Sequence, residues 1–295
     1  MDGPRGARIS AEGLGLKGPR GWAFRAVDLQ AEPGSLIAVE GPSGSGRTCL
    51  LLALSGRMRT TEGSAEVDGL PLPRKMAAVR AISALGHVPG VNELDPALTV
   101  AEHLSERALM QRRFAGSLPE LTRNLLLSRT DRRADARRRI DEALETAGLA
   151  VAELPRGVRT PVREVERLGA LRLSIALALI GRPRLLAIDD TDLKLSAVDR
   201  RAAWSALRSV AASGTTVLAV SSQAPPYATT VQTTTSNAPA PHPGGPHPDG
   251  PAAGRDGSTD RGDDDAGTPG DTASGKNERH TRRGTADALA EAGRA

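Results

Sequence analysis

A chain of 295 residues can hold one large domain or two small ones, and an apolar share of 39% supplies a sizeable core. Its 39 basic and 35 acidic side chains leave +4, and its aromatics are only Trp22, Phe24, Phe114, Trp204 and Tyr227, which argues against base-stacking recognition of single strands. Cys49 is alone, which excludes an internal disulfide framework and a cysteine-built zinc site and fits a reduced, cytosolic setting. The longest apolar run, near Leu171 to Gly181, is too short to cross a bilayer and contains Arg172. The opening MDGPRGARIS lacks the apolar core of a signal peptide, so neither a channel nor a secreted protein is expected.

In chain order, Arg8–Leu16 and Ala23–Gln30 alternate weakly and predict two antiparallel strands. Leu36-Ile37-Ala38-Val39 is a continuous apolar run, the pattern of a strand buried on both faces of a parallel sheet. A helix is expected from Arg47 to about Ser55, closed by Gly56. Thr99-Val100-Ala101-Glu102 has capping-box spacing and opens the next helix. Ile140, Ala143, Leu144 and Ala147 fall on one helix face, with Gly148 placed to end it. Val165–Ile180 predicts a further helix and Leu185–Ile188 a second buried strand. Ser196 caps a helix reaching about Ala212, and Thr216–Val220 is the last buried strand. Strands alternating with helices predict an α/β domain with a parallel sheet over residues 1–223, interrupted by a helical lobe at about 92–165. From Ala224 onward the chain turns to Pro, Gly, Thr, Asp and Ala, with 7 basic and 10 acidic residues. Residues 224–295, including His242, His247 and His280, hold too little apolar surface to offset their ordering entropy. They are expected to form a disordered tail.

The first buried strand is followed by Gly41-Pro42-Ser43-Gly44-Ser45-Gly46-Arg47-Thr48, a match to G-x-x-x-x-G-K-[ST] with Arg47 in place of lysine. Glycines there let backbone N–H groups surround phosphate oxygens, and the helix N-terminus adds partial positive charge. Thr48 is placed to ligate Mg²⁺. Arg47 keeps the lysine's charge but brings a larger planar head. Cys49 continues the loop into the helix as the last of the candidate nucleotide-binding positions, its thiol itself reading as a buried structural group.

With these motifs in this order, residues 8–223 resemble the ATP-binding subunit of an ABC transporter. AVDLQAEPGSLIAVEGPSGSGRTCLLLALSGRMRTTEGSAEVDG resembles that family's strand, phosphate loop and following strand, PALTV the start of its helical lobe, and GRPRLLAIDD the approach to its Walker B motif. The resemblance implies a P-loop NTPase fold of two lobes that binds ATP with Mg²⁺ and pairs head to tail as a homo- or heterodimer. It implies a separate membrane-spanning subunit as partner, and a place in the cytoplasm against the inner face of the membrane. It makes Asp189 the Mg²⁺ carboxylate beside Thr48, and Asp190 the group that polarises the attacking water, one methylene shorter than the usual glutamate. Other family positions are altered. The glutamine falls at Gly90, with Asn92 or Glu93 as substitutes. The signature motif falls at Val165-Glu166-Arg167-Leu168-Gly169, and the switch histidine at Ser222. The adenine-stacking aromatic falls at Gly18, near Trp22 and Phe24, each of which also reads as a core side chain.

These alterations leave ATP binding expected and hydrolysis slow, because phosphoryl transfer depends on positioning and charge stabilisation. A pseudo-ATPase, in which ATP is a structural switch, is the alternative. Residues 107–139 hold ten arginines against Glu120, Asp131 and Asp135. That lobe reads as a solvated face, as a contact to acidic loops or anionic headgroups, or least of all as a nucleic-acid surface.

Overall fold

The computed structural model describes residues 6–114, 129–192 and 194–234. The elements run β1 (Ile9–Gly18), β2 (Gly21–Ala31), β3 (Leu36–Glu40), α1 (Arg47–Leu54), β4 (Glu62–Val67), β5 (Leu70–Leu72), α2 (Met76–Ile82), β6 (Ser83–Leu85), α3 (Val100–Phe114), α4 (Arg129–Ala147), α5 (Arg167–Leu179), β7 (Leu185–Ile188), α6 (Ala197–Ala212), β8 (Thr216–Val220) and β9 (Thr229–Gln232). Short 3-10 turns at Val151–Glu153, Gly157–Arg159 and Val162–Glu164 join α4 to α5.

Two sheets organise these elements. One is antiparallel, in the order β2-β1-β4-β5; the other is parallel, in the order β6-β7-β8-β3-β9. Their sequence patterns differ for a physical reason. The weak alternation of the first strand reflects register irregularities in β1 between Ala11 and Leu14 and between Leu16 and Lys17, which change which residues face inward. The apolar runs of β3, β7 and β8 alternate between two separate cores. Leu36, Ala38, Leu186, Ile188, Val217 and Ala219 join α5 and α6 on one face. Ile37, Val39, Leu185, Ala187, Leu218 and Val220 meet α1 and the antiparallel sheet on the other. Burial on both faces is what makes these strands uninterrupted apolar runs.

Local signals act as expected. Thr99 Oγ1 accepts from the Glu102 amide at 3.3 Å, and Glu102 Oε2 accepts from the Thr99 amide at 2.7 Å, completing the capping box of α3. Ser196 caps α6 by accepting from the Asp199 amide at 3.1 Å. Gly148 closes α4 at φ 68°, a left-handed value open to glycine.

The fold continues past residue 223, where the tail was expected to begin. β9 lies parallel to β3, Val231 and Thr233 are buried, and the Thr233 amide donates to the Glu40 carbonyl at 2.8 Å. Composition concealed this strand because it is built from threonine around a single large apolar residue, held by backbone pairing and by Glu40. The Glu40 carboxylate accepts from the Ala224 amide and from Gln232 Nε2. The tail expectation for residues 235–295, and that for Arg123 and for the side chains of Arg112, Arg113, Arg129 and Arg132, lie outside the described residues. No helix among the described residues is long and apolar enough to cross a membrane.

Candidate functional site

The C-terminal ends of the adjacent strands β7, β8 and β3 converge, the usual ligand position in an open α/β sheet. β3 delivers residues 41–48, which turn into α1 with Gly46 in a left-handed conformation (φ 80°) as its N-cap. A Cβ on Gly46 would stand 2.2 Å from the Ala23 carbonyl oxygen of β2, so only glycine lets that strand close on the loop. Gly41 is equally constrained: a Cβ there would lie 2.5 Å from both Ser45 Oγ and Thr233 Oγ1. Ser45 and Thr233 share a hydrogen bond at 2.6 Å and are buried, so β9 backs the loop directly. Pro42, Ser43 and Gly44 form its outer rim, and Pro42 accepts from the Ser45 amide at 3.1 Å.

Thr48 Oγ1 donates to Asp189 Oδ2 at 2.5 Å. A hydroxyl and a buried carboxylate thus meet at the helix start, the donor set expected of a hard divalent cation beside phosphate oxygens. Asp189 is placed at the end of β7, its amide donating to the His87 carbonyl at 2.8 Å. Its other oxygen, Oδ1, accepts from the Asp190 amide at 2.8 Å. These residues and the glycine cradle fit Mg²⁺ and a phosphate chain.

Arg47 departs from the lysine role. Its Nη1 donates to the Ser221 carbonyl at 3.0 Å, across the mouth of the loop at the end of β8. Ser221 Oγ is buried there without a hydrogen-bond partner. Asp190 takes φ 48°, which Asp tolerates better than most residues. Burial and the neighbouring Asp189 push its carboxyl above the ordinary range, while His87 and Arg47 pull the other way. Cys49 is half-buried against the core around α1, and burial together with Asp189 raises its thiol. That matches a structural thiol better than a phosphate contact.

Around this centre, the altered positions are committed elsewhere. The Gly90 amide donates to Glu93 Oε1 at 2.8 Å, and Asn92 Nδ2 donates to the Leu85 and Gly86 carbonyls at 3.1 and 2.6 Å. Both suggested glutamine substitutes therefore serve their own loop. Ser222 donates through its amide, at 2.9 Å, and through its hydroxyl to Asp192 Oδ2. Val165 and Leu168 pack on the core, leaving Glu166 exposed as the N-cap residue of α5 with no side-chain cap bond. Phe24 is fully buried and unavailable to adenine. Trp22 is half-exposed, with Arg25 at 4.7 Å and Lys17 at 5.4 Å from its ring centre, beside a cavity of about 500 Å³. The role of β9 behind the phosphate loop escaped the sequence reading, and the only local signal was the β-branched run at 229–235.

The arginine-rich lobe is partly neutralised. Arg138 and Arg139 pair with Asp135, and Arg182 pairs with Glu142 on the same helix as these.

Comparison with known proteins matches this geometry. The ABC transporter family model matches residues 24–192. Nod factor export ATP-binding protein I of Cupriavidus metallidurans is 30% identical over 196 residues, 65% of this chain and 55% of that protein. ABC transporter A family member 5 of Arabidopsis thaliana is 28% identical over 64% of this chain and 18% of its own length. The chain thus spans about half the length of the bacterial relative, and much less of the plant one. Among solved structures, cbiO1 from Clostridium perfringens, part of the transporter complex cbiONQ, aligns with a TM-score of 0.60 at 19% identity, over 77% of this chain and 84% of that one. The ATP-binding cassette MJ0796, in a dimeric post-hydrolysis state bound to ADP and Pi, aligns with a TM-score of 0.54 at 21% identity, over 73% and 88%. From the phosphate loop, the Thr48–Asp189 pair and the family match over residues 24–192, this chain belongs to the ABC transporter family, as a nucleotide-binding domain.

Proposed function

We propose that this chain is the ATP-binding subunit of a transport system, working at the cytoplasmic face of a membrane beside a separate membrane-spanning subunit. It binds Mg-ATP at residues 41–48 and turns it over slowly. The observation that carries the reading is the Thr48–Asp189 contact at the start of α1, framed by glycines that admit no side chain. Thr48 and Asp189 hold Mg²⁺, backbone N–H groups of the loop hold phosphate oxygens, and Trp22 offers the adenine its ring once a flanking cation moves aside. Bound Mg²⁺ supplies charge neutralisation on the phosphate chain. Asp190 receives the proton of the attacking water, and its short reach limits that step. The likeness to cassettes described as dimers supports pairing with a second nucleotide-binding domain, of this chain or another.

Slow turnover follows from three commitments. Arg47 is held by the Ser221 carbonyl, Ser222 by Asp192, and Glu166 stands where the partner's phosphate would meet a signature motif. The same commitments support the second reading, in which ATP is a ligand that stabilises the fold and controls assembly.

Calorimetric titration of Mg-ATP into the full chain tests the first claim. Saturable binding is expected, lost in a Thr48→Ala, Asp189→Asn variant. No heat at millimolar ATP in the unaltered chain would defeat it. Turnover of about 1 per second or faster would defeat the slow-hydrolysis claim, and zero turnover with the membrane subunit present would select the switch reading.

A further inference from the structure

The cavity beside Trp22 carries charges that stacking alone does not use. It is lined by Lys17, Trp22, Thr61 and Glu62, with the Gly18-Pro19 turn between β1 and β2. Strand pairing builds it. Lys17 lies opposite Trp22 across the β1–β2 hairpin, and Gly15 lies opposite Glu62 across β1 and β4. Thr61 ties down the end of β1: its Oγ1 accepts from the Lys17 amide at 2.8 Å, and its amide donates to the Gly15 carbonyl at 2.8 Å. Gly15 lets the two walls stand close, since a Cβ there would lie 3.3 Å from the Trp22 ring and 3.4 Å from Glu62 Cβ. Trp22 directly precedes Ala23, whose carbonyl closes on Gly46, so one wall of the cavity is a single residue away from a contact with the phosphate loop.

The polar groups of this cavity are only partly committed. Lys17 Nζ stands 5.4 Å from the Trp22 ring centre and has no hydrogen bond or ion pair among the described residues. Glu62 Oε2 accepts from Arg25 Nε at 3.3 Å, and Oε1 has no partner among the described residues. A base stacking on Trp22 displaces the looser cation, Lys17, from the ring, and its edge then meets an ammonium and a carboxylate. Guanine presents the acceptor O6 beside two donors, N1–H and the 2-amino group, so the ammonium takes the first and the carboxylate takes the other two. Adenine presents a donor at position 6, an acceptor at N1 and no polar group at position 2. It can meet the ammonium and the carboxylate only once each.

We propose that this cavity selects guanine over adenine, with the base stacked on Trp22, Lys17 donating to O6, and Glu62 accepting from N1–H and the 2-amino group. The inference rests on the nucleotide reading above and deepens it. The favoured ligand is Mg-GTP, and ATP is retained through stacking and the phosphate contacts that both nucleotides share.

The test is calorimetric titration of the full chain, with Mg²⁺ present, by GTP, inosine triphosphate, ATP and tripolyphosphate. GTP should bind about tenfold tighter than ATP. Inosine triphosphate keeps O6 and N1–H but lacks the 2-amino group, and should fall between them. Lys17 and Glu62 are both exposed, so Glu62→Gln combined with Lys17→Met should fold normally and bring the GTP-to-ATP ratio to about one. A merely structural effect of the double variant would weaken both nucleotides alike and leave the ratio standing. Equal affinity for GTP and ATP with tripolyphosphate still bound, inosine triphosphate binding as tightly as GTP, or a ratio that survives the double variant would each overturn the base selection alone. Absence of binding by tripolyphosphate and all three nucleotides would overturn the phosphate-loop reading, and the base selection with it.

Discussion

At the ends of β3 and β7, Gly41, Ser45, Gly46, Thr48 and Asp189 are fixed by burial, by backbone contact or by each other. At Gly90 and Val165–Gly169 the family positions bond their own loop, pack on the core or, at Glu166, stay exposed, and Ser222 bonds Asp192 beyond the end of β7. The first region works mainly through backbone and small side chains, so its geometry is inseparable from the fold. The second presents exposed side chains such as Glu166 and Ser222, which can be replaced without disturbing the core. The buried cradle can therefore be kept while the exposed positions around it change.

Gly46→Ala attacks the first region hardest. The Cβ meets the Ala23 carbonyl, and the left-handed conformation alone costs about 1–2 kcal/mol. Denaturant unfolding should show a larger loss than that, with ATP binding abolished; a stable, binding variant would mean that β2 does not close on the loop as described. Thr233→Val comes next. It leaves the buried Ser45 hydroxyl without its partner, an expected loss of about 1–3 kcal/mol by the same unfolding assay. Asp190→Asn has a pH-dependent effect. The folded protein favours the protonated carboxyl, so below the ordinary value of 3.8 wild type and variant should be equally stable. As pH rises from there through the raised folded value, only the wild type loses stability. The variant should melt higher at neutral pH, with the gap closing toward acid, while ATP turnover falls. A gap that widens toward acid would contradict the burial assigned to Asp190. Glu166→Gln probes the second region and should be smallest, within about 0.5 kcal/mol in stability and without effect on ATP affinity of the isolated chain. A large change there would erase the contrast between the regions.

Much of this was legible in the sequence because the relevant signals are local. Burial on both faces makes β3, β7 and β8 apolar throughout; a capping box declares itself in four residues; and a phosphate loop needs its glycines in a row. The Thr48–Asp189 meeting was readable through resemblance, and the structure supplies the contact. What stayed hidden depends on residues far apart in the chain. Asn92 and Glu93 looked available until their loop closed on them. Phe24 and Trp22 are two residues apart, yet only one is left uncovered. Arg47 looked like an oversized lysine, and its engagement with Ser221 depends on β8 lying beside β3. β9 has one large apolar side chain and no signal beyond β-branching.

The bond between Ser45 and Thr233 spans 188 positions. Synthesis proceeds from the N-terminus at about 5–20 residues per second, so Thr233 is made roughly 9–38 s after Ser45. Until Thr233 arrives, Gly41 and Ser45 lack the hydroxyl that lies behind them in the complete fold. A chain stalled before that point would carry every residue of its phosphate motif without the hydroxyl that backs Gly41 and Ser45.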